Sequence, residues 1–132
     1  MKNMRTGIKT LLVVEDEPSI CEVCVRTLTS EGFEVDIAVN GEAGERKLEK
    51  KAYDLILIDI RTPVINGIEL YEWMERKHPE LSKKVIFTTG DTIAKDTQYF
   101  LEGTSRPFIP KPFTPVALRA TLKEALEQWE NT

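Results

Sequence analysis

Five short apolar segments, each followed by a longer segment with helical periodicity, constrain the fold of this chain more than any other feature. The apolar segments cover residues 10–14, 34–39, 55–58, 85–89 and 108–109. The predicted helices cover 18–31, 41–50, 68–77, 92–102 and 115–129. Alternating strands and helices predict a parallel sheet with helices on both faces. A length of 132 residues is typical of one domain.

The composition of each predicted strand indicates its place in the sheet. The first, third and fourth segments are almost wholly apolar, as strands covered on both faces are. The second alternates apolar and polar residues, and the fifth is flanked by Pro107 and Pro110, so both suit an edge. We therefore predict a doubly wound α/β fold with strand order 2-1-3-4-5 and five helices.

Charge and hydropathy exclude two classes of partner. Eighteen Lys and Arg stand against 22 Asp and Glu, and no basic run exceeds two residues. A surface that binds nucleic acid directly is usually basic, so none is expected. The apolar runs are far shorter than the roughly 20 residues that span a bilayer, and residues 1–10 lack a secretion signal. We expect no membrane contact and a cytoplasmic location.

The two cysteines and the single histidine have structural interpretations. Cys21 and Cys24 lie within a predicted helix, and a zinc site would need ligands that the chain does not offer. Free cysteine is usually buried, so we predict that the pair packs in the core. His78 precedes Pro79 at a predicted helix end, and solvation of that helix end explains it.

Polar side chains mark the carboxyl ends of four strands, where doubly wound sheets place their sites. Glu15 and Asp16 follow the first strand, Asp59 the third, Thr89 ends the fourth, and Lys111 follows the fifth. Three carboxylates, a hydroxyl and an ammonium are thus expected at one edge of the sheet. Each residue alone is more often a cap or turn residue, but their joint placement favours a site.

This set of groups suits phosphoryl transfer. Clustered carboxylates repel one another unless a cation lies among them, and Mg²⁺ prefers oxygen ligands. A carboxylate can attack a phosphoryl group and hold it as an acyl phosphate. Lys111 and Thr89 would bind phosphoryl oxygens. The sequence contains no glycine-rich nucleotide loop.

Four motifs carry a family resemblance: LLVVEDEP, DLILIDIRTPVINGIEL, VIFTTG and PFIPKPF. Together they resemble the receiver domain of two-component response regulators, which has a flavodoxin-like fold. The resemblance implies a receiver domain over residues 9–130, with tails at 1–8 and 131–132. It also implies that Asp59 is the phosphoacceptor and that Asp16, Asp59 and the main-chain carbonyl of Arg61 bind Mg²⁺, with Glu15 acting through water.

The resemblance also implies a switch. Thr89 and Lys111 would bind the phosphoryl group, Phe108 would be the switch aromatic, and the Lys111–Pro112 peptide bond would be cis. The responding face would comprise the fourth predicted helix, the fifth strand and the fifth predicted helix. Its expected surface includes Tyr99, Phe100 and the exposed side of residues 114–129.

By this resemblance the chain is a phosphoacceptor and not an enzyme. It would take a phosphoryl group from a phosphohistidine on a histidine kinase or phosphotransfer protein that docks near the first helix. The responding face would bind a partner or form a homodimer. A stand-alone receiver and a piece of a hybrid histidine kinase both fit the sequence.

Two alternatives stay open at this stage. One is a receiver-like scaffold that binds partners without phosphorylation. The other is a phosphohydrolase of the haloacid dehalogenase type, which also uses an aspartate nucleophile and Mg²⁺. That class needs a second acid two residues after the nucleophile, where this chain has Arg61, and usually a cap domain.

Overall fold

Five parallel strands form the sheet in the computed structural model, which describes residues 9–90 and 95–130. The strands are β1 (Thr10–Val14), β2 (Glu34–Ala38), β3 (Leu55–Asp59), β4 (Val85–Thr89) and β5 (Phe108–Pro110). Their order is β2-β1-β3-β4-β5, and all four neighbouring pairs are parallel. This confirms the predicted order and places the two polar or proline-flanked strands at the edges.

Six helices, one more than predicted, lie within the described ranges. They are α1 (Pro18–Ser30), α2 (Gly41–Lys50), α3 (Gly67–Lys77), α4 (Pro79–Ser82), α5 (Lys95–Gly103) and α6 (Pro115–Glu130). The additional helix is the single turn α4. Pro79 cannot continue α3 because it lacks an amide hydrogen, but it suits the first turn of a new helix. The predicted fourth and fifth helices are therefore α5 and α6, and residues 92–94 of the predicted fourth helix lie outside the described residues.

The sheet separates two layers of apolar side chains. One layer contains alternate residues of β1, β3 and β4 packed against α2 and α3, with Phe100 and Leu101 of α5 alongside. The opposite layer contains the intervening strand residues packed against α1 and α6. Every residue of β3 and β4 is buried. The continuous apolar character of these strands follows from this burial on both faces.

Local sequence signals mark where α1 ends and where α2 and α6 begin. The Asn40 side chain accepts a hydrogen bond of 2.8 Å from the Ala43 amide at the start of α2. Thr114 accepts one of 3.0 Å from the Ala117 amide at the start of α6. Gly32, beyond the end of α1, has a φ of 95°, a conformation that glycine adopts without strain. These contacts determine where the chain turns back towards the sheet.

The two cysteines occupy different environments. Cys24 is fully buried between α1 and the sheet, which confirms the core prediction for this residue. Cys21 is half-buried, and its thiol donates to the main-chain oxygen of Glu15 at 3.4 Å. The prediction that both pack in the core is therefore wrong for Cys21, which lies near the start of α1 beside the main chain of Glu15 and is partly exposed.

None of the helices in residues 9–90 and 95–130 is long and apolar enough to cross a membrane.

The His78 ring lies against Trp73, with ring centroids 5.2 Å apart, and its Nε2 is 3.3 Å from Oε2 of Glu49. These contacts place His78 between α2 and the end of α3.

Candidate functional site

Three carboxylates converge at the carboxyl edge of the sheet. Glu15 and Asp16 directly follow β1, and Asp59 is the last residue of the neighbouring strand β3. One oxygen of each residue lies within 4.8 Å of the others. Glu15 and Asp59 are buried, whereas Asp16 is exposed. Because all the donors are hard oxygen atoms and one side stays open to water, the cluster fits the requirements of Mg²⁺.

Lys111 provides the positive charge at this cluster. Its amide donates to the main-chain oxygen of Thr89 at 3.0 Å, which holds it at the end of β5. Its Nζ lies 3.2 Å from Oε1 of Glu15 and 3.2 Å from Oδ2 of Asp59. The peptide bond between Lys111 and Pro112 is cis. The ammonium therefore bridges two buried carboxylates that come from different strands.

The electrostatic environment shifts the pKa values of Lys111 and Glu15. Burial alone lowers the pKa of Lys111, but the bond to Glu17 and the charges of Asp59 and Glu15 outweigh it, so the net pKa is raised. Burial raises the pKa of Glu15 to about 7, and the charge of Asp59 adds to this effect. The Glu17 amide and the Lys111 ammonium act in the opposite direction. The ammonium stays charged while the cluster carries excess negative charge, so the site favours a bound cation.

Glu17 is a site residue that the sequence analysis missed. Its Oε1 lies 2.9 Å from Nζ of Lys111. The available signal was a third acidic residue directly after the acidic pair, in the segment EDEP. A glutamate before a helix is usually a solvated residue, and its contact with a lysine 94 positions away depends on the packing of β5 beside β4.

The loop after β3 holds Asp59 from the side opposite Lys111. The Arg61 amide donates to Oδ1 of Asp59 at 3.2 Å. Thr62 is buried and donates from its hydroxyl to the Ile65 carbonyl at 3.2 Å, which closes the loop. Both Asp59 oxygens thus have a donor at hydrogen-bond distance. The role of the Arg61 carbonyl as a metal ligand stays a prediction.

Thr89 and Phe108 lie on the strands that flank the site. Thr89 ends β4 and is fully buried. Phe108 begins β5, is paired with Phe87 in the β4–β5 register, and is 38% exposed. Phe108 therefore lies partly at the surface, at the first residue of β5. The opposite end of β5 leads into Lys111 and the carboxylate cluster. The hydroxyl role of Thr89 and the switch role of Phe108 stay predictions.

The two aromatic residues predicted for the responding face, Tyr99 and Phe100, differ in their exposure to water. Tyr99 is 79% exposed on α5. Phe100 packs edge-on against Phe87 and Tyr71, with ring centroids 4.9 and 6.0 Å away. Phe100 is thus partly buried against the core, as aromatic residues at helical spacing usually are, since consecutive helical residues are about 100° apart and here the second faces the sheet.

Comparisons with known proteins agree with this geometry. Residues 11–123 match the family model described as the response regulator receiver domain. The response regulator ArlR of Staphylococcus haemolyticus is 32% identical over 118 residues, which cover 89% of this chain and 52% of the relative. The chain thus spans about half the length of the curated relatives it matches.

Two solved structures are similar over nearly their whole length. A CheY-like response regulator receiver domain protein from Methanospirillum hungatei has a TM-score of 0.84 and 32% identity, covering 95% of this chain and 98% of the other. The receiver domain of the sensor histidine kinase PA1611 from Pseudomonas aeruginosa has a TM-score of 0.80 and 25% identity, covering 92% and 99%. The second structure has a magnesium ion coordinated in its active site cleft.

Proposed function

Because the chain belongs to the response regulator receiver domain family, we propose that it accepts a phosphoryl group on Asp59 from a phosphohistidine of a histidine kinase or phosphotransfer protein. One observation carries this proposal: Asp59 is the carboxylate that contacts both the Lys111 ammonium and the Arg61 amide, at 3.2 Å each. A nucleophile held between donors, next to two further carboxylates, is arranged for charge neutralisation during phosphoryl transfer.

The transfer exchanges one bond to phosphorus for another. An Asp59 carboxylate oxygen attacks the phosphorus atom, and the oxygen–phosphorus bond forms as the bond to the donor imidazole nitrogen breaks. The electron pair of the broken bond stays on that nitrogen, which returns to neutral imidazole. Lys111 binds a phosphoryl oxygen, and Thr89 supplies a hydroxyl to another. Since the product is an acyl phosphate on the chain itself, the protein acts as an acceptor and not as a turnover enzyme, with slow loss of the group to water.

A metal site belongs to the same proposal. Asp16, Asp59 and the Arg61 carbonyl would hold Mg²⁺ directly, and Glu15 would act through water. When bound, Mg²⁺ supplies neutralisation of the negative charge that develops on the phosphoryl oxygens. Asp16 suits the role of an exchangeable ligand because it is the exposed member of the cluster.

The response to phosphorylation is expected on the face formed by α5, β5 and α6. A phosphoryl group adds nearly two negative charges at Asp59, and Thr89 would move towards it. Phe108, now 38% exposed, would turn inward into the space that Thr89 leaves. A partner or a second copy would bind this face, to which the exposed Tyr99 and Val116 contribute. The kinase would dock beside α1.

The same proposal covers the rest of the molecule. Residues 9–130 would form the receiver domain, in the cytoplasm, with tails at 1–8 and 131–132. We propose no direct nucleic-acid contact for this chain, because it carries a net charge of −4 without a basic run.

Acetyl phosphate labelling tests the proposal. Purified protein is incubated with acetyl phosphate with and without Mg²⁺, and its intact mass is measured. We expect one phosphoryl adduct that requires Mg²⁺ and is lost in Asp59→Asn. Asp54→Asn is a matched control because Asp54 precedes the other end of β3 and binds the Thr10 amide. The control should be labelled like the wild type.

Two results would contradict the proposal. A folded protein that binds Mg²⁺ but forms no adduct would favour a scaffold that acts without phosphorylation. Steady release of phosphate from small phosphomonoesters, abolished by Asp59→Asn, would favour a phosphohydrolase of the haloacid dehalogenase type.

A further inference from the structure

Lys111 has one carboxylate partner that lies outside the predicted metal cluster. Its Nζ is 2.9 Å from Oε1 of Glu17, closer than the 3.2 Å that separates it from Glu15 and from Asp59. The Glu17 side chain is 56% exposed, whereas those of Glu15 and Asp59 are 2% and 4% exposed. Of the three carboxylate partners of the ammonium among residues 9–90 and 95–130, Glu17 is therefore the one that water reaches.

The start of α1 directs the Glu17 carboxylate towards Lys111. Glu17 occupies the N-cap position before Pro18, but its side chain makes no capping hydrogen bond. Its amide donates to Oε2 of Glu15 at 3.1 Å, and its carbonyl accepts from the amides of Ile20 and Cys21. The backbone of Glu17 is thus held on both sides, which fixes the position from which its carboxylate contacts Lys111.

We propose that Glu17 is a positioning residue that restrains Lys111 in the unphosphorylated chain and releases it when a phosphoryl group occupies Asp59. The inference rests on the proposed function. An ammonium has three N–H donors, and within the described part of the chain Glu15, Glu17 and Asp59 each accept from Lys111. A phosphoryl group brings new acceptor oxygens to Asp59, so Lys111 exchanges one carboxylate for it.

Glu17 is the partner that Lys111 gives up at the lowest cost. A buried carboxylate that loses its counterion is left without water, which is costly. The Glu17 carboxylate is already half in water and is hydrated again as soon as it is released. The Lys111–Glu17 ion pair therefore opposes binding of a phosphoryl group by the strength of one partly exposed ion pair, a modest amount.

Beryllofluoride, which has the shape and charge of a phosphoryl group, measures this effect directly. The dissociation constant is determined by ¹⁹F NMR at saturating Mg²⁺. Glu17→Gln should bind beryllofluoride roughly threefold to fivefold more tightly than the wild type, as expected for loss of one partly exposed ion pair. Glu22→Gln is the matched control, since it removes the same charge from within α1, where Glu22 pairs with Arg26 at 3.4 Å. The control should bind like the wild type.

A spectroscopic readout separates positioning from general stability. In protein without Mg²⁺, the ¹⁵N and ¹H signals of the Lys111 ammonium should shift in Glu17→Gln and stay unchanged in Glu22→Gln. The signal is assigned by its loss in Lys111→Arg.

The outcomes distinguish the two proposals. If the wild type fails to bind beryllofluoride, the proposed function fails. If the wild type binds and Glu17→Gln binds equally or more weakly, the role of Glu17 is overturned and the proposed function stands. Equal tightening in both variants would also overturn it, because net charge would then explain the effect.

Discussion

Gly67 lies directly against the backbone of Asp59. A Cβ atom at position 67 would be 2.6 Å from the Asp59 carbonyl oxygen and 2.7 Å from Cα of Ile60. The Gly67 amide also donates to the Ile60 carbonyl at 2.9 Å. The first residue of α3 and the proposed phosphoacceptor therefore share a contact that only glycine permits. The position of α3 is thus directly coupled to the position of the Asp59 backbone.

Gly67→Ala should displace this part of the site. The added methyl group meets main-chain atoms that cannot rotate away, so we expect a loss of roughly 1–3 kcal/mol in the free energy of unfolding and slower labelling by acetyl phosphate. Urea denaturation and intact mass measure the two effects. Gly103→Ala is the control, because a Cβ there meets nothing within 4 Å. Equal stability of the two variants would contradict the close contact.

Mg²⁺ should stabilise the folded chain through Asp16. A ligand that binds only the folded state at ten times its dissociation constant adds about 1.4 kcal/mol. We expect the thermal midpoint to rise with MgCl₂ in the wild type and to rise far less in Asp16→Asn. Asp16 is exposed, so the variant should fold normally without metal. Potassium chloride at equal ionic strength controls for charge screening, and an equal rise in that salt would contradict specific binding.

Thr97 on α5 carries a buried hydroxyl that we expect to lower the free energy of unfolding. The residue is 1% exposed, and its Oγ1 has no hydrogen-bond partner among the described residues. An unsatisfied buried hydroxyl costs about 1–3 kcal/mol. Thr97→Val keeps the shape and removes the hydroxyl, so we expect its free energy of unfolding to rise by about 1 kcal/mol. Thr97→Ser keeps the hydroxyl and should be no more stable than the wild type; a destabilised Thr97→Val would contradict the prediction.

Tyr53 and Asp36 should give a pH-dependent contribution at the β2 edge. The Tyr53 hydroxyl donates to Oδ2 of Asp36 at 2.7 Å, and this bond, with the one from Lys51, lowers the pKa of Asp36. A lowered carboxyl pKa contributes stability that is present above the unfolded value near 3.8 and is lost as the pH falls through the folded value.

Tyr53→Phe tests this contribution. We expect it to raise the pKa of Asp36 and to cost about 0.5–1.5 kcal/mol at neutral pH, with a smaller difference once the pH falls below the folded pKa of Asp36. Carbon-13 NMR of the Asp36 carboxyl and urea denaturation at several pH values provide the measurements. Tyr99→Phe is the control, because Tyr99 is exposed. A pKa of Asp36 that does not move would contradict the prediction.

The strand order could be predicted from the sequence because the pattern of apolar residues in each strand indicates whether one or both of its faces are buried. The unbroken apolar runs Leu55–Ile58 in β3 and Val85–Phe87 in β4 require cover on both faces, whereas the alternation in β2 requires cover on one face only. The convergence of Glu15, Asp16 and Asp59 followed from the same reasoning, because adjacent parallel strands end at the same edge. Strand order and the place of the carboxylates both depend on residue type and on the spacing of apolar residues, which can be read within each short segment of the sequence.

The exposure of residues on α5 and the presence of α4 depended on how the elements pack together, which no short stretch of sequence indicates. Helical periodicity did not distinguish the exposed Tyr99 from the packed Phe100, since the phase of α5 against the sheet is set by packing. The sequence shows that Pro79 has no amide hydrogen and therefore ends α3. It does not show that residues 79–82 form a separate helical turn, α4, because that depends on the path of the backbone after Pro79.

The pairing of Glu17 with Lys111 is the clearest case of this dependence. Residue types and their periodicity were enough to predict the fold, the edge of the sheet that carries the site and the types of side chain at that edge. Which carboxylate the ammonium contacts at 2.9 Å followed from the tertiary structure, because this distance depends on the relative positions of the residue after β5 and the residue before α1, which are 94 positions apart in the chain.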